Sequence, residues 1–310
     1  MEEIKRFRAA TPVITREAQE SARARLMHEI HAAPAPVRRR LPRLAWRVAL
    51  TGAFAVALGF GAVRLQAPPA VPVANVQELS ERAARAAESR PAVTPSSDQW
   101  LYVKEKQAAP REGAGGFGVD LDRRVTREMW TSVDGRRVAW YRPDGKLLVQ
   151  GTHPGISATD LAKPPITPQG LLDRIDRVLT RSADEPFEES KGERLFQAIY
   201  QLMGEQALSR EVRAALFRAL PLIKGVSVRQ DAVDADGRHG VAFTYTGNWA
   251  RYELILNPDD FRYLGTYGVS VRDRTFKYAN LDPIFVPAGT PLGLSAQLET
   301  HLVNKAGERP

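Results

Sequence analysis

Val48–Val63 reads VALTGAFAVALGFGAV, sixteen residues with no charge and with Thr51 as the one polar side chain. As an α-helix this run is about 24 Å long at about 1.5 Å per residue. Extended from Leu44 to Leu65 it becomes about 33 Å long, which matches a hydrocarbon core of about 30 Å. The extension takes in Arg47 and Arg64, one near each end, and their long stems can carry the charge out to the headgroups. A run of this length also suits a buried core helix, but its flanking charge is too lopsided for that. Arg38, Arg39, Arg40, Arg43 and Arg47 crowd the N-terminal side, whereas acids offset the arginines that follow the run. The positive-inside rule therefore predicts a single-pass cell-membrane protein with its N-terminus in the cytoplasm and its C-terminal part extracytoplasmic. A leader of more than forty residues with its own helical pattern is too long for a cleaved signal peptide, so the span reads as an uncleaved anchor. Ala49, Ala53, Ala57 and Gly61 recur every four residues along it, a stripe of small side chains that would let two spans approach closely and form a homo-oligomer.

The span divides the chain's charge. The 310 residues carry 44 Lys+Arg against 36 Asp+Glu, a net charge of +8. Residues 1–47 hold eleven of the basic side chains and five of the acids, so the remainder is nearly balanced. A folded nucleic-acid binder concentrates its basic excess on the folded domain, and this chain does not; no direct nucleic-acid partner is expected. The absence of cysteine excludes disulfides, thiolate metal sites and cysteine nucleophiles.

Five segments follow from this reading: a cytoplasmic basic arm (1–43), the transmembrane helix (44–65), a Pro-rich stalk (66–74), an extracytoplasmic α+β domain (75–303) and a polar tail (304–310). In the arm, Thr15 to His31 has an apolar row of Ala18, Ala22, Leu26 and Ile30, bounded by Pro34 and Pro36, and predicts one amphipathic helix that orders on membrane lipid or on a partner. His28 and His31 share its face but lack further ligands, so no metal is expected there.

Beyond the stalk, Asn75 with Glu78 has capping-box spacing. Trp100 and Tyr102 lie in an extended run, and Val125, Met129 and Val133 in a second. Asp134-Gly135 and Asp144-Gly145 supply turns to Val138–Trp140 and Leu147–Val149. Three helices are then signalled by Thr167-Pro168, by Ser190 with Glu193, and by Ser209. Strand alternation returns at Val241, Phe243, Tyr245, at Tyr252, Leu254, Leu256, at Tyr263 to Val271 and at Ala296 to Leu302. Strands, a helical block and strands again predict an α+β domain with one curved antiparallel sheet and helices packed on one face.

Catalytic motifs are missing. Gly113, Gly115 and Gly118 spell a dinucleotide pattern but precede a strand and open no helix, so they read as a loop. His153, His239 and His301 are scattered, and Asp120 and Asp122 sit beside Arg123 and Arg124 as solvated strand residues. No cofactor, no metal and no enzymatic activity is expected. Trp100, Trp130, Trp140 and Trp249 read as core aromatics, with a groove lining as the alternative.

The RRRLPRLAW junction, VQELSERAARAA, QWLYVK, LFQAIYQLM, REVRAALFRAL, GRHGVAF, YELILNP and the terminal KAGERP together resemble an actinobacterial family of uncharacterised single-span membrane proteins, many encoded beside extracytoplasmic-function sigma factors. The resemblance implies a regulatory or envelope-sensing protein with a cytoplasmic sigma factor as partner, although the His/Cys zinc motif of many anti-sigma domains is absent. The alternative is a tethered extracytoplasmic carrier or binding module for an apolar envelope ligand.

Overall fold

The structure, a computed structural model, describes residues 75–91, 95–111, 118–151, 155–181, 189–278 and 281–310. The arm, the arginine collar, the apolar segment with its Ala49–Gly61 stripe, and the stalk lie outside the described residues. Among the described residues no helix is long and apolar enough to cross a membrane.

Helix α1 (Val76–Glu88) starts where its sequence signal falls: Asn75 is extended, and its Oδ1 accepts the Glu78 N–H at 2.9 Å. Leu79, Ala83, Ala84 and Ala87 form its buried face. Strands β1 (Trp100–Pro110), β2 (Val119–Ser132), β3 (Arg137–Tyr141) and β4 (Leu147–Gly151) follow as an antiparallel meander. Gly135 and Gly145 take φ of 69° and 79° in the two short turns, a backbone setting that costs glycine little. A short helix α2 (Ala158–Leu161) leads to α3 (Pro168–Arg181), α4 (Lys191–Glu205) and α5 (Arg210–Ala219), and a 3₁₀ turn (Leu220–Leu222) closes the helical block. Ser190 and Ser209 cap α4 and α5 through the Glu193 and Val212 N–H groups.

The chain then returns through β5 (Val226–Val233), β6 (His239–Thr246), β7 (Ala250–Leu256) and β8 (Tyr263–Ser270). A separate two-stranded ribbon, β9 (Arg274–Tyr278) and β10 (Leu281–Val286), precedes the long β11 (Pro291–Val303). The fold is α+β: a nine-stranded antiparallel sheet in the order β4-β3-β2-β1-β11-β8-β7-β6-β5, with a few helices. Two elements were not legible as strands. β5 is an edge strand whose apolar alternation ends after Val228, at the exposed Arg229, Gln230 and Asp231, and the ribbon stands apart from the main sheet.

β11 joins the two halves of the sheet by changing partners. Pro291–Leu294 pairs with β8, and Ser295–Val303 pairs with β1. Irregular register interrupts both ladders, the local feature that bends a strand.

The main core lies where α1, α3, α4 and α5 meet Val241, Phe243, Tyr245, Leu254 and Leu256 of β6 and β7. Phe217 stacks on Phe243 with centroids 6.3 Å apart, and Phe196 on Tyr245 at 5.7 Å. A second core gathers Trp100, Tyr102, Trp130, Ala139 and Val303 at the β1–β3 end. The C-terminal segment folds over it: Trp130 Nε1 donates to the Glu308 carbonyl at 2.6 Å, and Arg309 forms a two-pronged pair with Glu128.

Helix α1 is tied to α5 by more than packing. Ser80 Oγ donates to the buried Phe217 carbonyl at 2.8 Å, and the Arg218 guanidinium reaches both Glu81 and Glu88. Hydrogen bonds from Arg218, and then from Arg85, hold the Glu81 carboxyl down at about 2. A depressed carboxyl stabilises the fold above its ordinary pKa of 4.5 and loses that contribution as pH falls toward 2. These side chains are about a third exposed, so solvent screens the gain. Arg218→Ala is expected to cost about 0.5–1 kcal/mol at pH 7 and much less at pH 2.5, read from thermal melts at the two pH values. An equal loss at both would show that the arginine acts through its stem alone.

Candidate ligand-binding groove

The pairing of β1 to β4 arranges side chains in rungs. Val103 lies opposite Met129, Met129 opposite Trp140, and Trp140 opposite Leu148, so one apolar rung crosses four strands. Two residues along the same face Glu105 lies opposite Arg127, and two further on Gln107 lies opposite Val125. The other face of β1 and β2 carries Tyr102 and Trp130 into the second core.

These rungs line a groove of about 770 Å³, whose remaining wall comes from α4 (Tyr200, Gln201, Gly204, Glu205), from β8 (Tyr263, Thr266) and from Leu292–Ser295 of β11. That volume is typical of a site for a small organic molecule. The groove is amphipathic. Val103, Met129, Trp140 and Leu148 supply one side, and Glu105, Arg127, Glu205 and the two phenols supply another. Thr266 and Ser295 share a buried hydroxyl–hydroxyl bond of 2.8 Å. Gly204 gives Tyr263 its place, because a Cβ there would lie 2.9 Å from the phenol oxygen.

The electrostatics are uneven. Desolvation pushes the Glu105 carboxyl above its ordinary range, opposed by the Ser295 hydroxyl and by Arg127. Glu205 is solvent-exposed, yet the protein around its carboxyl displaces enough water to push it up to about 7. The nearby Glu105 charge adds repulsion, and Arg127 opposes both. Burial likewise raises the phenols of Tyr200 and Tyr263, which stay protonated as hydrogen-bonding groups. The groove can thus hold an apolar body beside a polar head, and it can exchange a proton near neutrality.

A carboxyl whose folded pKa exceeds its unfolded value binds its proton more tightly in the native state. Between pH 4.5 and about 7 the native chain therefore holds more proton than the unfolded chain, and stability falls as pH rises through that window. Because Glu205 is accessible, screening reduces the penalty to about 1 kcal/mol. Glu205→Gln is expected to raise stability at pH 8 by about that amount and to leave it unchanged at pH 4.5, measured by thermal melts. A variant equally stabilised at both pH values would refute the assignment.

Of the four tryptophans weighed from sequence, Trp140 lines the groove, and Trp100 and Trp130 are core. Trp249 packs edge-on against Phe276, 5.3 Å away, with Arg274 over both rings. At the start of β2 Asp122 is exposed and Asp120 half-buried, and the Asp122 N–H donates to Asp120 Oδ1 at 2.9 Å. His239 is exposed beside Asp231, and His301 lies 6.4 Å from Tyr102. Gly113 and Gly115 fall outside the described residues, as does His153. Among the described residues no group of three or more His, Asp or Glu is placed to hold a metal ion.

Sequence reading missed Glu105, Arg127 and Glu205. A signal was present for two of them, since Glu105 follows Leu101 and Val103, and Arg127 sits between Val125 and Met129, in apolar alternations. Glu205, on a helix far along the chain, gave none. Compared with known proteins, the chain matches no family model, no curated protein and no solved structure.

Proposed function

We propose that the protein is a membrane-anchored, non-enzymatic envelope-sensing protein whose extracytoplasmic domain binds an apolar small molecule along a curved sheet. One observation carries this reading: a groove of about 770 Å³ in which an apolar rung of four strands faces α4. The chemistry of the lining favours capture over turnover. Val103, Met129, Trp140 and Leu148 offer surface to an apolar body, and among the groove's lining residues no serine or threonine is paired with a histidine as nucleophile and base. Helix α1, first element after the stalk, is part of the main core, so a change in the domain would reach the stalk through a packed element. The arm and its sigma-factor partner form the inward half of the same proposal, resting on the family resemblance.

The test uses the full-length chain in lipid nanodiscs, with empty discs as blank. A neutral, environment-sensitive naphthalene dye is expected to brighten on the protein and to be displaced by 1-octanol. Met129→Arg, which sets a charge in the apolar rung, is expected to reduce dye affinity at least about tenfold with the fold retained by circular dichroism. Dye binding that is absent, or that Met129→Arg leaves unchanged, would overturn the groove as the site.

A further inference from the structure

We propose that the groove selects a cationic amphipath, with an organic ammonium group seated on the Glu105–Glu205 side and an alkyl or aryl body along the Val103–Met129–Trp140–Leu148 rung. This inference rests on the groove as the binding site and specifies the head group that the site accepts.

The charges facing the groove supply the argument. β1 contributes Glu105, β2 Arg127, and α4 Glu205, while the β3–β4 turn places Arg142 and Asp144 at the rim. Arg142 and Asp144 offset one another. Of the three inner charges, Arg127 lies directly across the strand pair from Glu105 and is the one cation that opposes the rise of both carboxyls. One carboxylate is then left in excess, and Glu205 is the one without a cross-strand cation. The remaining polar neighbours are neutral, the hydroxyls of Thr126, Tyr200, Tyr263, Thr266 and Ser295 and the amides of Gln107 and Gln201. Tyr141 stands at the edge.

Three head groups would fare differently there. An anionic head would meet two carboxylates and only one inner cation. A neutral head would leave Glu205 to satisfy itself by keeping a proton, as its rise to about 7 indicates. An ammonium replaces that proton with a fixed positive charge and donates hydrogen bonds to the carboxylate, the stronger, charge-assisted kind. The apolar rung runs parallel to the charged pair at a spacing of two residues, so head and body are satisfied together. Trp140 adds an aromatic face within the same groove, which a cation tolerates well.

The experiment is isothermal titration of the full-length chain in nanodiscs with octylammonium, 1-octanol and octanoate, each corrected against empty discs. At pH 8 octylammonium is expected to bind at least about tenfold more tightly than 1-octanol, with octanoate weakest. At pH 5.5, where Glu205 holds its proton, the ammonium advantage should shrink to less than about threefold. Glu205→Gln should abolish the advantage at pH 8; Glu105→Gln serves as the second variant if the first melts early. Equal binding of octylammonium and 1-octanol, or preference for octanoate, would overturn the ammonium assignment and leave the groove as a site for apolar molecules. Binding of none of the three would remove the groove reading along with it. The ranking of the three probes on the unaltered chain decides the matter even if both variants misfold.

Discussion

Trp130→Ala is expected to destabilise the domain by about 4 kcal/mol, the largest single loss we anticipate from a side-chain truncation. Trp130 is fully buried, and its indole is contacted on every side. Tyr102 lies tilted against it at 5.3 Å, and Tyr141 meets it edge-on at 5.5 Å. Its Nε1 donates to the Glu308 carbonyl at 2.6 Å. Truncation empties the centre of a core that has few other members, so the walls have little to collapse with. It also removes one tie to the C-terminal segment, leaving the Arg309–Glu128 pair and the contacts of Tyr141 with Gly307 and Arg309 to hold it. Denaturant titration is the measurement, together with proteolysis at the C-terminus. Trp130→Phe should recover most of the packing but not the hydrogen bond. A loss below about 1 kcal/mol for the alanine variant would show that the second core contributes little.

Gly265→Ala is expected to cost about 3 kcal/mol, and to act on the groove as well as on stability. Gly265 of β8 lies against the backbone of β11 where that strand leaves β8 for β1. A Cβ there would sit far inside contact distance of the Ser295 carbonyl oxygen, 2.7 Å from its carbon and 3.0 Å from Ala296 Cα. Backbone atoms cannot swing aside as a side-chain tip does, so the two halves of the sheet must part. Ser295 and Thr266, whose hydroxyls bond across this junction, both line the groove. Loss of dye affinity beyond the loss of folded protein is therefore expected, measured on the same sample by titration and melting. Gly237→Ala, in the β5–β6 turn, is the control: nothing lies within 4 Å of that position, so its cost comes from its positive φ of 79° alone and should leave the groove untouched.

Local chemistry explains which elements were legible. The helix starts at Asn75, Thr167, Ser190 and Ser209 each rest on a side chain binding an N–H three residues on, and that interaction is complete within four residues. The turns at Gly135 and Gly145 were equally local. β6 and β7 alternate because one of their faces packs on the helices. In β5 the alternation of Val226 and Val228, which pack on the main core, stops at the exposed run Arg229–Asp231, and the β9–β10 ribbon pairs apart from the main sheet. The second core was half visible: Trp100 and Tyr102 announced a buried face of β1, but nothing local told that residues 306–309 would cover it. Ser190 and Glu193 read as a reciprocal box, yet in the fold Glu193 is buried against Gly247 in the β6–β7 turn, and only the serine half is made.

The chain's own order of residues was enough to set the α+β class, the helix caps, the hairpin turns and the expectation of an anchored, inward-facing arm, because each depends on neighbours a few positions apart or on the bulk preference of an apolar run. The groove was decided by the fold alone. Glu105, Arg127 and Glu205 come from two strands and a helix separated by up to a hundred positions, and β11 brings Ser295 between them only by changing partners midway. Charges so far apart in the chain feel one another only after the sheet has closed around them and excluded the water that would have screened them.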